Sequence, residues 1–172
     1  IQRAAASQKR INEFINITEK VLNNGTEKLE QIFKVEFKDI NFKYPNSDDY
    51  VLKNINFKLS SGMILGIFGK TGAGKSSLVQ LLCRLYDPSE GEIFINDISY
   101  KQIELNAYRK KIGYVPQDVF LFSDSIENNI AFGLNKEDFN EDEIKTTAES
   151  AGLLNEIETF NDSFQTKIGE RG

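Results

Sequence analysis

Gly69-Lys70-Thr71-Gly72-Ala73-Gly74-Lys75-Ser76 has the spacing G-x-x-x-x-G-K-[ST]. Glycines at this spacing let the backbone curl until successive N–H groups face one point. A helix beginning directly behind the curl adds its own N–H groups and its positive end. Lys75 supplies a compact positive charge for β- and γ-phosphate oxygens, and the Ser76 hydroxyl is suited to Mg²⁺. Gly69, Thr71, Gly72, Ala73, Gly74, Lys75, Ser76 and Ser77 are therefore the candidate nucleotide-phosphate contacts, with Lys75 also a candidate catalytic residue. The motif points to a nucleotide phosphate without saying which nucleotide.

The flanks have to place this loop. Met63-Ile64-Leu65-Gly66-Ile67-Phe68 is apolar throughout and predicts a buried strand. Residues from Lys75 predict a helix ending near Tyr86, before the turn signal Asp87-Pro88-Ser89-Glu90-Gly91. Upstream, Val35, Phe37, Ile40 and Phe42 alternate with a break at Lys38-Asp39, which predicts a strand carrying a bulge. A turn cluster at 45–49 leads to a further strand through Leu52, Ile55, Phe57 and Leu59. Glu92 to Ile95 predicts a short strand closed by an Asn96-Asp97 turn, and Ile112 to Val115 another strand. Short helices are expected over 103–110, 125–131, 140–151 and 153–159, with Asn140 as a cap. Residues 1 to about 23 have helical apolar spacing, and 24–32 form a polar linker.

The chain of 172 residues is 40% hydrophobic, enough for one ordinary domain with a core. A formal charge of −5 gives no basic footprint for nucleic acid. One cysteine and no histidine exclude a disulfide framework and a histidine metal site. Cys83, among Leu81, Leu82 and Leu85, is expected to be inert packing. No stretch is apolar for long enough to span a bilayer, and no signal peptide is visible, so this segment is expected in a cytosolic environment.

A phosphate-loop hydrolase also needs an acid at a strand end for the Mg²⁺ shell. Ile93-Phe94-Ile95-Asn96-Asp97 mimics that feature, but its place just after the first helix and its Asn-Asp pair favour a hairpin turn. The sequence thus holds half of an active site.

Further motifs extend the pattern. Tyr44 lies in Phe42-Lys43-Tyr44-Pro45, and Gln117 in Tyr114-Val115-Pro116-Gln117-Asp118. Tyr86 to Ile93 contains Asp-Pro-x-x-Gly-x-Ile, and Phe120 to Ile130 contains Phe-Leu-Phe-x-x-Ser-Ile-x-x-Asn-Ile. Together with Gly169-Glu170-Arg171-Gly172, these residues resemble the nucleotide-binding domain of an ABC transporter of the exporter type. The resemblance covers the whole chain. It implies an α/β fold, that of an incomplete ABC-type P-loop NTPase, with an N-terminal antiparallel β subdomain and a preceding helix.

It implies Tyr44 as the aromatic ring that stacks on adenine, and Gln117 as the residue that touches Mg²⁺ and attacking water. Residues 1–23 would continue the last transmembrane helix, 24–32 would be its linker, and 33–172 the first part of the nucleotide domain. Glu170 would lie near the coupling surface with the membrane domain.

The implied cofactors are ATP and Mg²⁺. The implied partners are the transmembrane domain of the same transporter and a second nucleotide domain, identical or not, with no nucleic acid. The parent would be a membrane protein, with this segment on the cytosolic side, or the matrix side in an organelle. Because the Leu-Ser-Gly-Gly-Gln signature and the catalytic glutamate are not in this sequence, the segment alone is expected to be inactive, while the parent is expected to be an ATPase. A soluble ABC-type ATPase, a half-transporter that does not hydrolyse, and a phosphate-loop kinase are the rival readings. Transported cargo leaves no mark here.

Overall fold

A computed structural model describes residues 8, 11, 12, 15, 21–118, 120–134 and 139–169. The chain forms two compact units, Ile1–Tyr114 and Val115–Gly172. The fold is the expected α/β P-loop NTPase type with an N-terminal antiparallel β subdomain.

In the first unit, β1 (Lys34–Phe42), β2 (Leu52–Ser60), β3 (Glu90–Ile95) and β4 (Ile98–Ser99) form one sheet in the order β2-β1-β3-β4. Every neighbouring pair in it is antiparallel. Phe37 and Ile40 are both fully buried although three positions apart. Strict alternation would put one of them in water, so the strand must take an extra residue between them. The register to β2 shifts between these two residues, and Asp39 adopts a positive φ of 52°. Gly91 accommodates the bulge from β3: a Cβ there would lie 2.3 Å from the Asp39 carbonyl oxygen. The directly opposed Phe37 and Phe57 rings stack at 4.4 Å.

The turn between β3 and β4 has Asn96 and Asp97 at φ 52° and 69°, the conformation of a tight hairpin. Asn96 Oδ1 accepts from the Phe33 and Lys34 amides, and Asp97 is ion-paired with Lys34. Asp97 is therefore a turn residue, as expected.

Helix α1 (Lys75–Leu82) packs Leu78 and Leu81 into the core with Phe42, Ile93, Ile95, Tyr100, Ile103 and Tyr108. It is a turn shorter than the sequence suggests. Arg84 takes a left-handed φ of 51°, its amide bonds the Leu81 carbonyl, and the Leu85 amide bonds the Gln80 carbonyl. That is a Schellman stop with arginine in the place glycine usually takes. The Arg84 side chain, 2% exposed, explains the choice. Its Nη atoms donate to the carbonyls of Tyr100 at 3.0 Å, Ile103 at 3.4 Å and Leu22 at 3.1 Å, and its guanidinium lies 5.1 Å from the Tyr100 ring centroid. Helix α2 (Leu105–Arg109) is capped by Glu104, whose carboxylate accepts from the Asn106 and Ala107 amides.

The polar stretch 24–32 is bonded to its unit. The Thr26 and Glu27 amides donate to the Gln102 carbonyl, the Glu104 amide donates to Glu27, and Leu29 is buried. Gln8, Ile11, Asn12 and Ile15 have helical backbone, whereas residues 21–23, at the end of the helix expected from 1 to about 23, are not helical; its other residues lie outside the described residues.

Two expected strands are not paired. Residues 63–68 join no ladder, with Ile64 97% and Phe68 94% exposed. Residues 112–115 also lie outside any strand, and Val115 is 90% exposed. A doubly covered strand takes its backbone partners and its apolar cover from elements on both sides. Among the described residues no strand pairs with either run.

In the second unit, α3 (Ile126–Ile130) starts at Ser125, whose hydroxyl accepts from the Asn128 amide at 3.1 Å. Helix α4 (Glu141–Ser150) starts with the expected Asn140 cap, reciprocated by Glu143. Helix α5 (Leu154–Ile157) follows Gly152, and a 3₁₀ turn covers Ser163–Gln165. Phe120, Phe122 and Phe132 form an exposed aromatic group, with Phe122 and Phe132 stacked at 4.1 Å.

Candidate functional site

The loop before α1 has the shape that its glycines allow. Gly72 and Gly74 both adopt left-handed φ, 81° and 85°. Gly74 is the N-cap of α1 and is buried against β2, where a Cβ would lie 2.8 Å from Leu52 Cδ2 and 3.0 Å from the Val51 carbonyl oxygen. The first turn of α1 is thus set on the sheet edge, and Lys75, Ser76 and Ser77 begin the helix with amides that have no carbonyl one turn back. Lys75 Nζ donates to the carbonyls of Gly69 at 2.8 Å and Lys70 at 2.9 Å, folding the ammonium over the loop. The Ala73 amide donates to Lys70, which closes the curl.

A cavity of about 310 Å³ opens here, lined by Gly72 to Ser77, Val51 and Tyr44. Of the expected phosphate-loop residues, Gly72 to Ser77 share this cavity with the expected base-stacking tyrosine, whereas Gly69 and Thr71 are not among its lining residues. Tyr44 reaches it because Pro45 and the 45–49 turn follow directly from the end of β1. Phe42 and Tyr86 meet the Tyr44 ring edge-on at 5.0 Å and 5.3 Å. Its hydroxyl bonds Ser77 Oγ at 2.8 Å and Gln80 Oε1 at 2.9 Å. Tyr44 also lines a second cavity of about 370 Å³, between the 45–48 turn and Tyr86, Asp87 and Ser89.

The donor set fits a polyphosphate: unpaired helix-start amides, a positive charge and no carboxylate among the lining residues. The Ser76 hydroxyl, on an exposed residue beside Lys75, fits a hard cation that takes its other ligands from phosphate and water. Gln117 is exposed and belongs to the second unit. Glu170 lies outside the described residues. The sequence reading missed Gln80 and Arg84. Gln80 lies on the same face of α1 as Ser77, one turn on, but nothing in the sequence says that a tyrosine from β1 meets it. Arg84 follows an apolar run and reads as an ordinary helix-end cation.

Known proteins share this fold. The family model described as ABC transporter matches residues 52–169. The chain is 38% identical over 170 residues to the ABC transporter ATP-binding protein YfiB of Bacillus subtilis, covering 99% of this chain and 29% of that protein. It is 36% identical over 173 residues to the multidrug resistance-like ATP-binding protein MdlA of Escherichia coli, covering 100% and 29%. It is 35% identical to the ATP-dependent lipid A-core flippase of Alkalilimnicola ehrlichii, again covering 100% and 29%. Among solved structures, a bacterial Atm1-family ABC exporter with ATP bound aligns with a TM-score of 0.85 and 29% identity, over 99% of this chain and 30% of that one. The chain spans about 30% of the length of these relatives. On the family match across most of its length and on these relatives, the chain belongs to the ABC transporter family.

Proposed function

We propose that this chain is the ATP-binding part of an ABC exporter that couples ATP binding and hydrolysis to transport across a membrane. The observation that carries the reading is the shared cavity: a left-handed glycine curl, Lys75 and the start of α1 on one wall, and Tyr44 on another. In this reading Tyr44 stacks on the base, since an aromatic ring suits a flat base. The amides of Gly72 and of Gly74 to Ser77, with the Lys75 ammonium, hold the phosphates, while the Ala73 amide keeps the curl closed on Lys70. Lys75 would leave its carbonyl partners on Gly69 and Lys70 for phosphate oxygens, so the loop holds the charge in place before nucleotide arrives. Ser76 would hold Mg²⁺, which when bound neutralises charge on the β- and γ-phosphates. Gln117 would touch Mg²⁺ and orient the attacking water.

The exporter relatives and the Phe120 to Asn129 segment support a partnership with a transmembrane domain. The same comparison supports a second nucleotide domain that completes the site. The exposed apolar faces of 63–68 and 112–115 would be covered by strands from sequence outside this chain. Residues 1–23 would lead out of the last transmembrane helix, 24–32 would follow as its connection, and 33–172 would open the nucleotide domain on the cytosolic or matrix side. Closure of the two nucleotide domains requires that ATP bind the closed state better than the open one. Lys75→Ala in the full-length protein is expected to abolish ATPase activity and ATP-driven transport; retention of both would overturn the assignment.

A further inference from the structure

Tyr44 is tied to the same helix that begins the phosphate site. Gln80 Oε1 can only accept, so the Tyr44 phenol donates to it, at 2.9 Å. The Tyr44 oxygen then accepts from the Ser77 hydroxyl at 2.8 Å. The direction of the chain is fixed: Ser77 donates to Tyr44, and Tyr44 donates to Gln80. Ser77 and Gln80 are three residues apart on α1 and share a face. Ser77 is 5% exposed, so water competes poorly for its bond. Phe42 and Tyr86 pack against the ring in T-shaped contacts, and the two bonds to α1 locate its hydroxyl end.

We propose that Ser77 and Gln80 are positioning residues that fix the Tyr44 ring relative to the phosphate cradle, and so select nucleotides by their base-to-phosphate span. This rests on the reading of the cavity as a nucleotide site. Both walls of the cavity hang from one rigid element: the amides at the start of α1 and, through these two bonds, the ring. The Ser77 hydroxyl has one proton, and Tyr44 takes it. Toward a nucleotide, Ser77 therefore acts through its backbone amide, and its side chain serves the ring.

The test measures equilibrium binding of MgATP and of Mg-tripolyphosphate to the full-length protein. Tripolyphosphate offers the phosphates without a base. Tyr44→Phe keeps the ring and removes the hydroxyl; Gln80→Met keeps the length and removes the acceptor. Gln80→Met, which removes one bond, is expected to weaken ATP about fivefold, and Tyr44→Phe, which removes both, up to about thirtyfold. The double variant is expected to lose little beyond Tyr44→Phe alone, because that substitution already removes both bonds. Tripolyphosphate binding is expected to be unchanged in all three. Wild-type ATP affinity in both single variants would overturn the proposal, as would fully additive losses or an equal loss of tripolyphosphate. If the unaltered protein bound neither ligand, the nucleotide-site reading itself would fail, which is a distinguishable result.

Discussion

Gly72 and Gly74 offer a controlled pair of substitutions. Both have left-handed φ, 81° and 85°, so alanine at either position incurs the same backbone strain of about 1–2 kcal/mol. Alanine also removes freedom from the unfolded chain, which returns about 0.4–1 kcal/mol. Around Gly72 an added Cβ meets nothing within 4 Å. Around Gly74 it meets Leu52 Cδ2 at 2.8 Å, the Val51 carbonyl oxygen at 3.0 Å and Val51 Cγ1 at 3.1 Å. The Val51 backbone cannot retreat freely, because its amide bonds the Phe42 carbonyl at 2.8 Å, and Leu52 is 5% exposed in the core. Overpacking of this kind costs about 1–3 kcal/mol more.

Gly72→Ala is therefore expected to cost about 1 kcal/mol and Gly74→Ala about 2–4 kcal/mol. The Leu78 amide reports on the difference, since it bonds the Gly74 carbonyl at 3.0 Å and closes the first turn of α1. Amide exchange at Leu78 in the full-length protein should speed up roughly 30- to 800-fold in Gly74→Ala and about fivefold in Gly72→Ala. MgATP affinity should fall in the first far more than in the second. Equal effects from the two substitutions would refute the account of how α1 is seated on β2.

Three further outcomes follow from single side chains. Arg84→Met leaves the Tyr100 and Ile103 carbonyls without this donor in a buried place and also breaks the part-buried bond to Leu22 and the ion pair with Asp87, and thermal unfolding of the first unit should show a loss of about 2–5 kcal/mol. Glu104 is held below its ordinary value of 4.5, first by the Asn106 amide and then by the Ala107 amide. Its contribution to the start of α2 is therefore present above that value and lost as pH falls through the lowered one. The protection of the Ala107 amide, its exchange rate taken relative to the intrinsic rate at each pH, should fall on acidification below 4.5, and Glu104→Gln should flatten that response. Burial pushes the Cys83 thiol above 9.0, opposed by Arg109, so maleimide at pH 8 should label it only after unfolding.

Local patterns carried the phosphate loop, the bulge and the caps. The G-x-x-x-x-G-K-S spacing needs only its own backbone to curl, and the structure shows Gly72 and Gly74 in the conformations that glycine permits. The three-residue gap between Phe37 and Ile40 forced a bulge because both had to reach the same core. Asn140 with Glu143, and Asn96 with Asp97, act on amides within a few residues of themselves.

Tertiary structure decided the rest. The apolar run 63–68 has the residues of a buried strand, yet pairing and cover come from other strands, and its own residues cannot supply them. Arg84 became a buried anchor only because carbonyls from positions 22, 100 and 103 converge on it. The seating of Tyr44 on Ser77 and Gln80 joins residues 33 and 36 positions apart. The sequence by itself determined which residues are proposed to grip phosphate, since the glycine-lysine-serine spacing lies within eight consecutive positions. Only the folded chain decided where a base would be met relative to that grip, because the distance depends on how β1 is packed against α1.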